Sequence, residues 1–175
     1  TVLRDVQDYL TGGPESPSTA WMLASGGRLY DRWYAALGKQ GPSQAHPSWP
    51  AENTNVKGAD TWRCKSCHGW DYLGREGQYR SGPNATGIRG LQRMRAKPVA
   101  EIMAILENRT HRFTDEVMSG NAKERLALFV SRGQHTVGQH FHPDGRPKGD
   151  AMHGREVFQN VCAACHGFDG RARRL

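Results

Sequence analysis

The stretch "WRCKSCHGW", residues 62 to 70, contains the pattern Cys-x-x-Cys-His-Gly. The same pattern returns near the end of the sequence, in "FQNVCAACHGFDGRARRL", residues 158 to 175. The two copies hold all four cysteines of the 175-residue chain, namely Cys64, Cys67, Cys162 and Cys165. In each copy the second cysteine is followed directly by a histidine, His68 or His166. The chain therefore uses all its cysteines in two identically spaced groups.

Three familiar uses of paired cysteines fit this pattern poorly. A four-cysteine zinc site of the ribbon type separates its pairs by about 15–20 residues, whereas 94 residues, 68 to 161, lie between these two pairs. A thioredoxin-like dithiol needs one pair and has no use for the histidine. Two disulfides would be the plain structural alternative, but a Cys-x-x-Cys loop is short for a structural bridge.

Covalent haem attachment uses every residue of the pattern. Each thiol adds to a haem vinyl group to form a thioether, and the next histidine binds the iron as its fifth ligand. The pattern therefore predicts two haem c groups, bound through Cys64, Cys67 and His68 and through Cys162, Cys165 and His166. Such attachment takes place outside the bacterial cytoplasmic membrane, so we expect a periplasmic protein whose export signal has been removed.

Composition narrows the class of protein and of partner. Apolar residues are 37% of the chain, with Gly 21 and Pro 9, which predicts a small core, long loops and help from a cofactor. The net charge of +7 favours acidic partners, but the scattered basic residues argue against nucleic acid. No apolar run approaches the ~18 residues that cross a bilayer, so we expect no transmembrane segment.

Apolar periodicity predicts an all-α fold. A first helix should begin after the glycine pair Gly26-Gly27 and end near Gly38, and the stretch 98 to 109 should form a second. A helix capped by Asn121 should close at Gly133, and another should cover 149 to 161 and lead into the second motif. Asp60 is the expected cap of the short helix that carries the first motif.

This order of helix, Cys-x-x-Cys-His, helix, methionine-containing loop and closing helix resembles the class I cytochrome c family over residues 27 to 133. The phrase "GREVFQNVCAACHGFDGRA", residues 154 to 172, resembles the opening of a second such domain. The resemblance implies four segments: an N-terminal extension (1–24), a first haem domain (25–133), a linker (134–148) and the N-terminal part of a second haem domain (149–175). We expect that second domain to be truncated, because no methionine, histidine or closing helix follows its motif.

The resemblance also implies a sixth iron ligand for each haem. In the family, a methionine in the loop before the last helix takes this position, which implies Met118 opposite His68. Met94, Met103 and His111 remain open alternatives, with His46 a weaker one. The sixth ligand of the second haem is unknown. It would come from a lost segment or from upstream, where Met152, His153, His140 and His142 are nearest, unless the iron is five-coordinate.

What the resemblance implies about function is electron transfer rather than catalysis. A dihaem cytochrome c would pass single electrons between periplasmic redox proteins with acidic docking surfaces. One alternative is a haem enzyme, similar to dihaem peroxidases or thiosulfate dehydrogenases, in which one haem relays electrons to an open or unusually ligated one. The other is a haem subunit of a larger oxidoreductase.

Overall fold

The computed structural model describes residues 6, 17–142 and 146–172. Within these ranges the fold is all-α, as predicted: no β-strand is present, and the only bridges are Gly74 with Arg89 and Phe141 with Pro147. The α-helices are α1 (Thr19–Ala36), α2 (Cys64–His68), α3 (Val99–Glu107), α4 (Gly120–Leu128), α5 (Ala151–Val157) and α6 (Ala163–His166). None of these helices combines the length and apolar character that crossing a membrane requires.

The chain divides into two compact units, unit 1 (Thr1–His135) and unit 2 (Thr136–Leu175). The expected N-terminal extension, 1–24, lies mostly outside the described residues. Residues 173–175 at the end of the predicted second haem domain lie outside them as well. That the units are two cytochrome c domains stays a prediction.

Helix α1 begins earlier than the sequence predicts. Ser18 caps it, its hydroxyl oxygen accepting from the N–H of Trp21 at 3.2 Å. The glycine pair therefore lies inside α1, where a Cβ on Gly26 would stand 2.2 Å from the carbonyl oxygen of Arg125. The prediction that the helix starts after the pair is wrong, because these glycines permit close contact between α1 and α4 rather than breaking a helix.

The core of unit 1 lies among α1, α3 and α4. Helix α3 agrees with the predicted stretch and has Pro98 at its N-cap. Helix α4 begins after Ser119, whose side chain makes no cap bond, and the expected capping by Asn121 is wrong because Asn121 lies within the first turn. The chain continues through a π-helical turn to Gly133, where the sequence predicts the helix to close. The buried apolar side chains of this core are Leu29, Tyr30, Trp33, Tyr72, Ile102, Leu106, Phe113, Met118, Ala122, Leu126, Ala127, Phe129 and Val130. Several of these side chains also line the cavity next to α2.

Arg63 ties α2 to α1. Helix α1 is interrupted at Arg32 (φ −149°, ψ 78°), and the carbonyl of the preceding Asp31 accepts from Nε of Arg63 at 2.8 Å. Nη2 of Arg63 binds the Asp31 carboxylate, and Nη1 donates to Oδ1 of Asp60 at 3.0 Å. The expected capping by Asp60 is wrong, because its carboxylate binds this guanidinium from a 3₁₀ helix, Gly58–Trp62, and Arg63 itself is the N-cap of α2.

In unit 2 the helix predicted over 149 to 161 is present as α5 and the π-helical turn that follows it. Oδ1 of Asp150 accepts from the N–H groups of Met152 (2.8 Å) and His153 (3.2 Å) and so caps α5. A π-helical turn, Phe158–Cys162, then connects α5 to α6. Val157 and Val161 are exposed.

Candidate haem site

A cavity of about 310 Å³ lies against α2 in unit 1. Its volume is in the range of ~300–1,000 Å³ that small-molecule and cofactor sites occupy. Apolar side chains form most of its wall, namely Trp62, Ile88, Leu91, Ile102, Ile105, Leu106, Phe113, Leu126 and Val130. Arg89 and Arg93, which also line the cavity, are exposed.

Cys64, Cys67 and His68 all line this cavity. They lie on α2, which ends where Gly69 takes a positive φ of 80° and its N–H donates to the carbonyl of Lys65 at 2.9 Å. The hydroxyl of the buried Tyr30 donates to the carbonyl of Gly69 at 2.6 Å, so α1 fixes the end of α2. One short helix therefore directs two sulfurs and one imidazole into the same apolar space.

The ring of His68 is held in one tautomer. Its Nδ1 lies 2.8 Å from the carbonyl oxygen of Arg89 and donates to it, which leaves Nε2 unprotonated in the neutral ring. Burial lowers the pKa of His68 to about 4, so the ring is neutral at pH 7. A neutral imidazole whose other nitrogen is bonded to a carbonyl is the usual form of a metal-binding histidine.

The thiols of Cys64 and Cys67 are free. Burial is the main cause that raises the pKa of each to about 12, and at Cys64 the neighbouring Cys67 contributes to the rise. Reactive dithiols of the thioredoxin kind have lowered thiol pKa values. The environment of this pair is therefore unlike that of a redox dithiol.

The second motif has the same local fold as the first. The carbonyl of His68 accepts from the N–H of Gly74 at 2.9 Å, and the carbonyl of His166 accepts from the N–H of Ala172 at 2.9 Å, six residues on in both cases. The glycine after each histidine has a positive φ, 80° at Gly69 and 74° at Gly167. Each motif is thus a short helix ended by a left-handed glycine.

An aspartate three residues after each histidine completes this turn. Oδ1 of Asp71 accepts from the N–H of Leu73 at 3.1 Å, and Oδ1 of Asp169 accepts from the N–H of Arg171 at 3.0 Å. Neither aspartate is among the residues predicted from the sequence. The signal was the extension of the repeat to "HGWD" (68–71) and "HGFD" (166–169).

The expected sixth ligands of the first haem fall into two groups. Met118 is 0% exposed in the core, and neither it nor Met103 lines the cavity. Met94, His46 and His111 do line it. That Met118 is the ligand stays a prediction. Met94, His46 and His111 are the candidates that share the cavity wall with His68.

Among these, His111 has its ring stacked with that of His68. The centres of the two rings lie 6.3 Å apart, and their planes are 26° from parallel. Burial lowers the pKa of His111, and a hydrogen bond with the carbonyl of Ile105 acts in the opposite direction. His46 uses both ring nitrogens elsewhere: Nδ1 accepts from the N–H of Ser48 at 3.1 Å, and Nε2 lies 3.0 Å from the carbonyl of His111.

In unit 2 the motif is more open. Cys162 is half-buried, whereas Cys165 and His166 are exposed. The four expected sources of a sixth ligand, Met152, His153, His140 and His142, are exposed as well. The sixth ligand of the predicted second haem stays unknown.

Two further observations bear on the site. No cluster of three or more His, Cys, Asp or Glu side chains suited to a metal ion occurs in the described part of the chain, and a haem iron, which takes four ligands from its porphyrin, needs none. No family model, no curated protein and no solved structure matches the chain.

Proposed function

We propose that the protein is a dihaem c-type cytochrome that transfers single electrons between periplasmic redox partners. The observation that carries the proposal is the placement of Cys64, Cys67 and His68. Their sulfurs and imidazole line one apolar cavity from a single short helix. No other common cofactor uses two thiols and the adjacent histidine together.

The residues of the cavity fit a haem. Cys64 and Cys67 would hold it through thioethers, and His68 would bind the iron through the Nε2 that its bond to Arg89 leaves available. A haem bound there would supply a one-electron redox centre. The apolar wall would exclude water from it, and the exposed Arg89 and Arg93 carry charge suited to propionate groups at the rim.

The helix arrangement supports a cytochrome c-like domain in unit 1. In the class I family a first and a last helix cross beside the haem. Here α1 and α4 make backbone contact at Gly26, and Leu126 of α4 lines the cavity. We therefore propose that unit 1 has the class I cytochrome c fold.

The local fold of the second motif supports a second haem. Cys162, Cys165 and His166 stand on the same helix-and-glycine turn as the first set. Two haems on one chain would form a short relay, and the net charge of +7 would favour acidic partner proteins.

Paired cysteine variants test the proposal. We expect the full chain, expressed with export to the periplasm, to carry two covalent haems. Cys64→Ser with Cys67→Ser should remove one of them, and Cys162→Ser with Cys165→Ser should remove the other, as counted by haem absorbance per polypeptide. A wild-type chain without covalent haem, or variants that keep both haems, would contradict the proposal.

A further inference from the structure

If the proposed function holds, one residue on the cavity wall opposite His68 completes the coordination of the iron. A six-coordinate haem needs a second protein ligand there. The described side chains with a suitable atom on the cavity wall are Met94, His46 and His111. Their positions and hydrogen bonds distinguish them.

The ring centres of His68 and His111 are separated by a distance at which two imidazoles can share one metal ion. An imidazole nitrogen binds a first-row metal at about 2.0 Å, and ring bonds of roughly 1.33 Å put each nitrogen about 1.1 Å from the ring centre. Two rings on opposite sides of one ion thus have centres about 6.2 Å apart. The observed separation is 6.3 Å, and both rings border the same cavity.

The hydrogen bonds of His111 suit a ligand. Its Nδ1 lies 3.3 Å from Oδ1 of Asn108, which parallels the bond of His68 Nδ1 to the Arg89 carbonyl. Metal-binding histidines typically engage one ring nitrogen with such an acceptor and present the other to the metal. Both ring nitrogens of His46 have protein partners, Ser48 and the His111 carbonyl, and the His111 ring has a second acceptor beside it in the carbonyl of Ile105. The choice between the two histidines therefore rests on position, because the ring centre of His111 lies 6.3 Å from that of His68.

The backbone around His111 is fixed from within its own turn. Oδ1 of Asn108 accepts from the N–H groups of Thr110 (2.9 Å) and His111 (3.1 Å). The next residue, Arg112, takes a positive φ of 58°, a conformation that costs a non-glycine residue about 1 kcal/mol or more and that clusters at functional sites. The turn thus fixes the backbone that carries the imidazole.

A second segment clamps the same turn from outside. Nε2 of His46 donates to the carbonyl of His111 at 3.0 Å, and the hydroxyl of Ser48 donates to the carbonyl of Thr110 at 2.8 Å. His46 itself is anchored by its backbone N–H, which donates to Oγ1 of the buried Thr61 at 2.8 Å. His46 is therefore a positioning residue for His111.

We propose that His111 is the sixth ligand of the haem in unit 1, opposite His68, so that the iron is held by two histidines instead of histidine and Met118. Met118 lies in the core, away from the cavity wall. Met94 lines the cavity and is the rival that an experiment has to separate.

The test uses the full chain with Cys162→Ser and Cys165→Ser, so that the spectrum reports the haem of unit 1 alone. The oxidised protein is expected to be low-spin and to lack the weak band at about 695 nm that marks iron–methionine ligation. His111→Ala should abolish the low-spin spectrum and let the reduced protein bind CO, and added imidazole should restore the low-spin spectrum. Met118→Leu, as the matched control, should leave the spectrum unchanged. Met94→Leu, a change in the cavity wall, should leave the iron low-spin and without the band that marks iron–methionine ligation.

A gain-of-band variant provides a second readout. His111→Met should create the 695 nm band and raise the midpoint potential, because thioether ligation favours the reduced iron. The inference is overturned if the starting protein shows the band and Met94→Leu or Met118→Leu removes it, or if His111→Ala leaves the low-spin spectrum intact. Should His111→Ala not accumulate, His111→Met provides the test: a band at about 695 nm that appears in this variant supports the assignment, and the same band in the starting protein contradicts it.

The failure of the proposed function gives a different result. If the starting protein carries no covalent haem at all, the cytochrome proposal falls and the inference falls with it. If it carries one haem with a 695 nm band, only the assignment of His111 falls.

Discussion

At the scale of single residues, unit 1 contains site residues that the repeated motif identifies and others that only the tertiary structure identifies. The cysteines and histidines of both motifs can be recognised from the sequence because their spacing is fixed by one turn of helix. Asp71 and the contacts of His111 cannot, because they depend on where a loop folds back. Asp71, almost fully buried, accepts from the N–H groups of Leu73 and Gln78 and orders the loop after α2. The sixth ligand is likewise a matter of tertiary position.

Arg63 is expected to be a main stabiliser of the site at this scale. Its side chain is 12% exposed and binds the carboxylates of Asp31 and Asp60 as well as the Asp31 carbonyl. Arg63→Gln should lower the free energy of unfolding by about 2 kcal/mol, because two carboxylates lose a largely buried partner. Chemical denaturation would measure the loss.

A matched surface pair serves as the control for Arg63. Lys97 and Glu101 form an i,i+4 pair at 3.4 Å with both side chains about half exposed. Lys97→Gln should change the free energy of unfolding by less than about 0.5 kcal/mol. Equal losses in the two variants would show that Arg63 has no special role.

At the scale of elements, the sequence predicts some boundaries well and others poorly. Helix α3 agrees with the apolar periodicity of 98 to 109 because that helix presents one regular apolar side. Helix α1 does not agree, because glycine is read locally as a helix breaker, whereas here it serves a contact between helices far apart in sequence. Such a contact becomes visible only when both partners are in place.

The contact between α1 and α4 predicts a strong difference between two adjacent glycines. A methyl group on Gly26 would overlap the Arg125 carbonyl at 2.2 Å and Cβ of Phe129 at 2.6 Å, so Gly26→Ala should cost about 3 kcal/mol through overpacking. Gly27→Ala should cost much less, because its nearest neighbour, Cε2 of Phe129, is at 3.2 Å and can shift. Thermal unfolding followed by circular dichroism would rank the two, and a ranking with Gly27→Ala as the worse variant would contradict the close packing.

For the whole molecule, the sequence predicts an all-α chain, and the described residues confirm it. The two-unit division and the shared turn of the two motifs add support for two cofactor sites. The sixth ligand of the predicted second haem cannot be predicted from sequence spacing, because it depends on which residues the tertiary structure brings near His166. The cavity in unit 1, by contrast, draws its wall from α2, α3, α4 and the loop between residues 88 and 94.

Carbon monoxide distinguishes an electron carrier from a haem enzyme at this scale. If both positions of the iron in unit 1 are filled, the reduced variant with Cys162→Ser and Cys165→Ser should bind no CO. The reciprocal variant, Cys64→Ser with Cys67→Ser, reports the second haem, whose histidine is exposed. CO binding by unit 1 itself would count against a simple electron-transfer role for that haem.

The mass of the intact, denatured polypeptide after export tests the central claim most directly. Thioether bonds survive denaturation, so the account predicts a mass increased by two haem groups over that of the chain. It also predicts that thiol-specific alkylation adds nothing, because all four cysteines are consumed. An unmodified mass with four alkylatable thiols would contradict the claim.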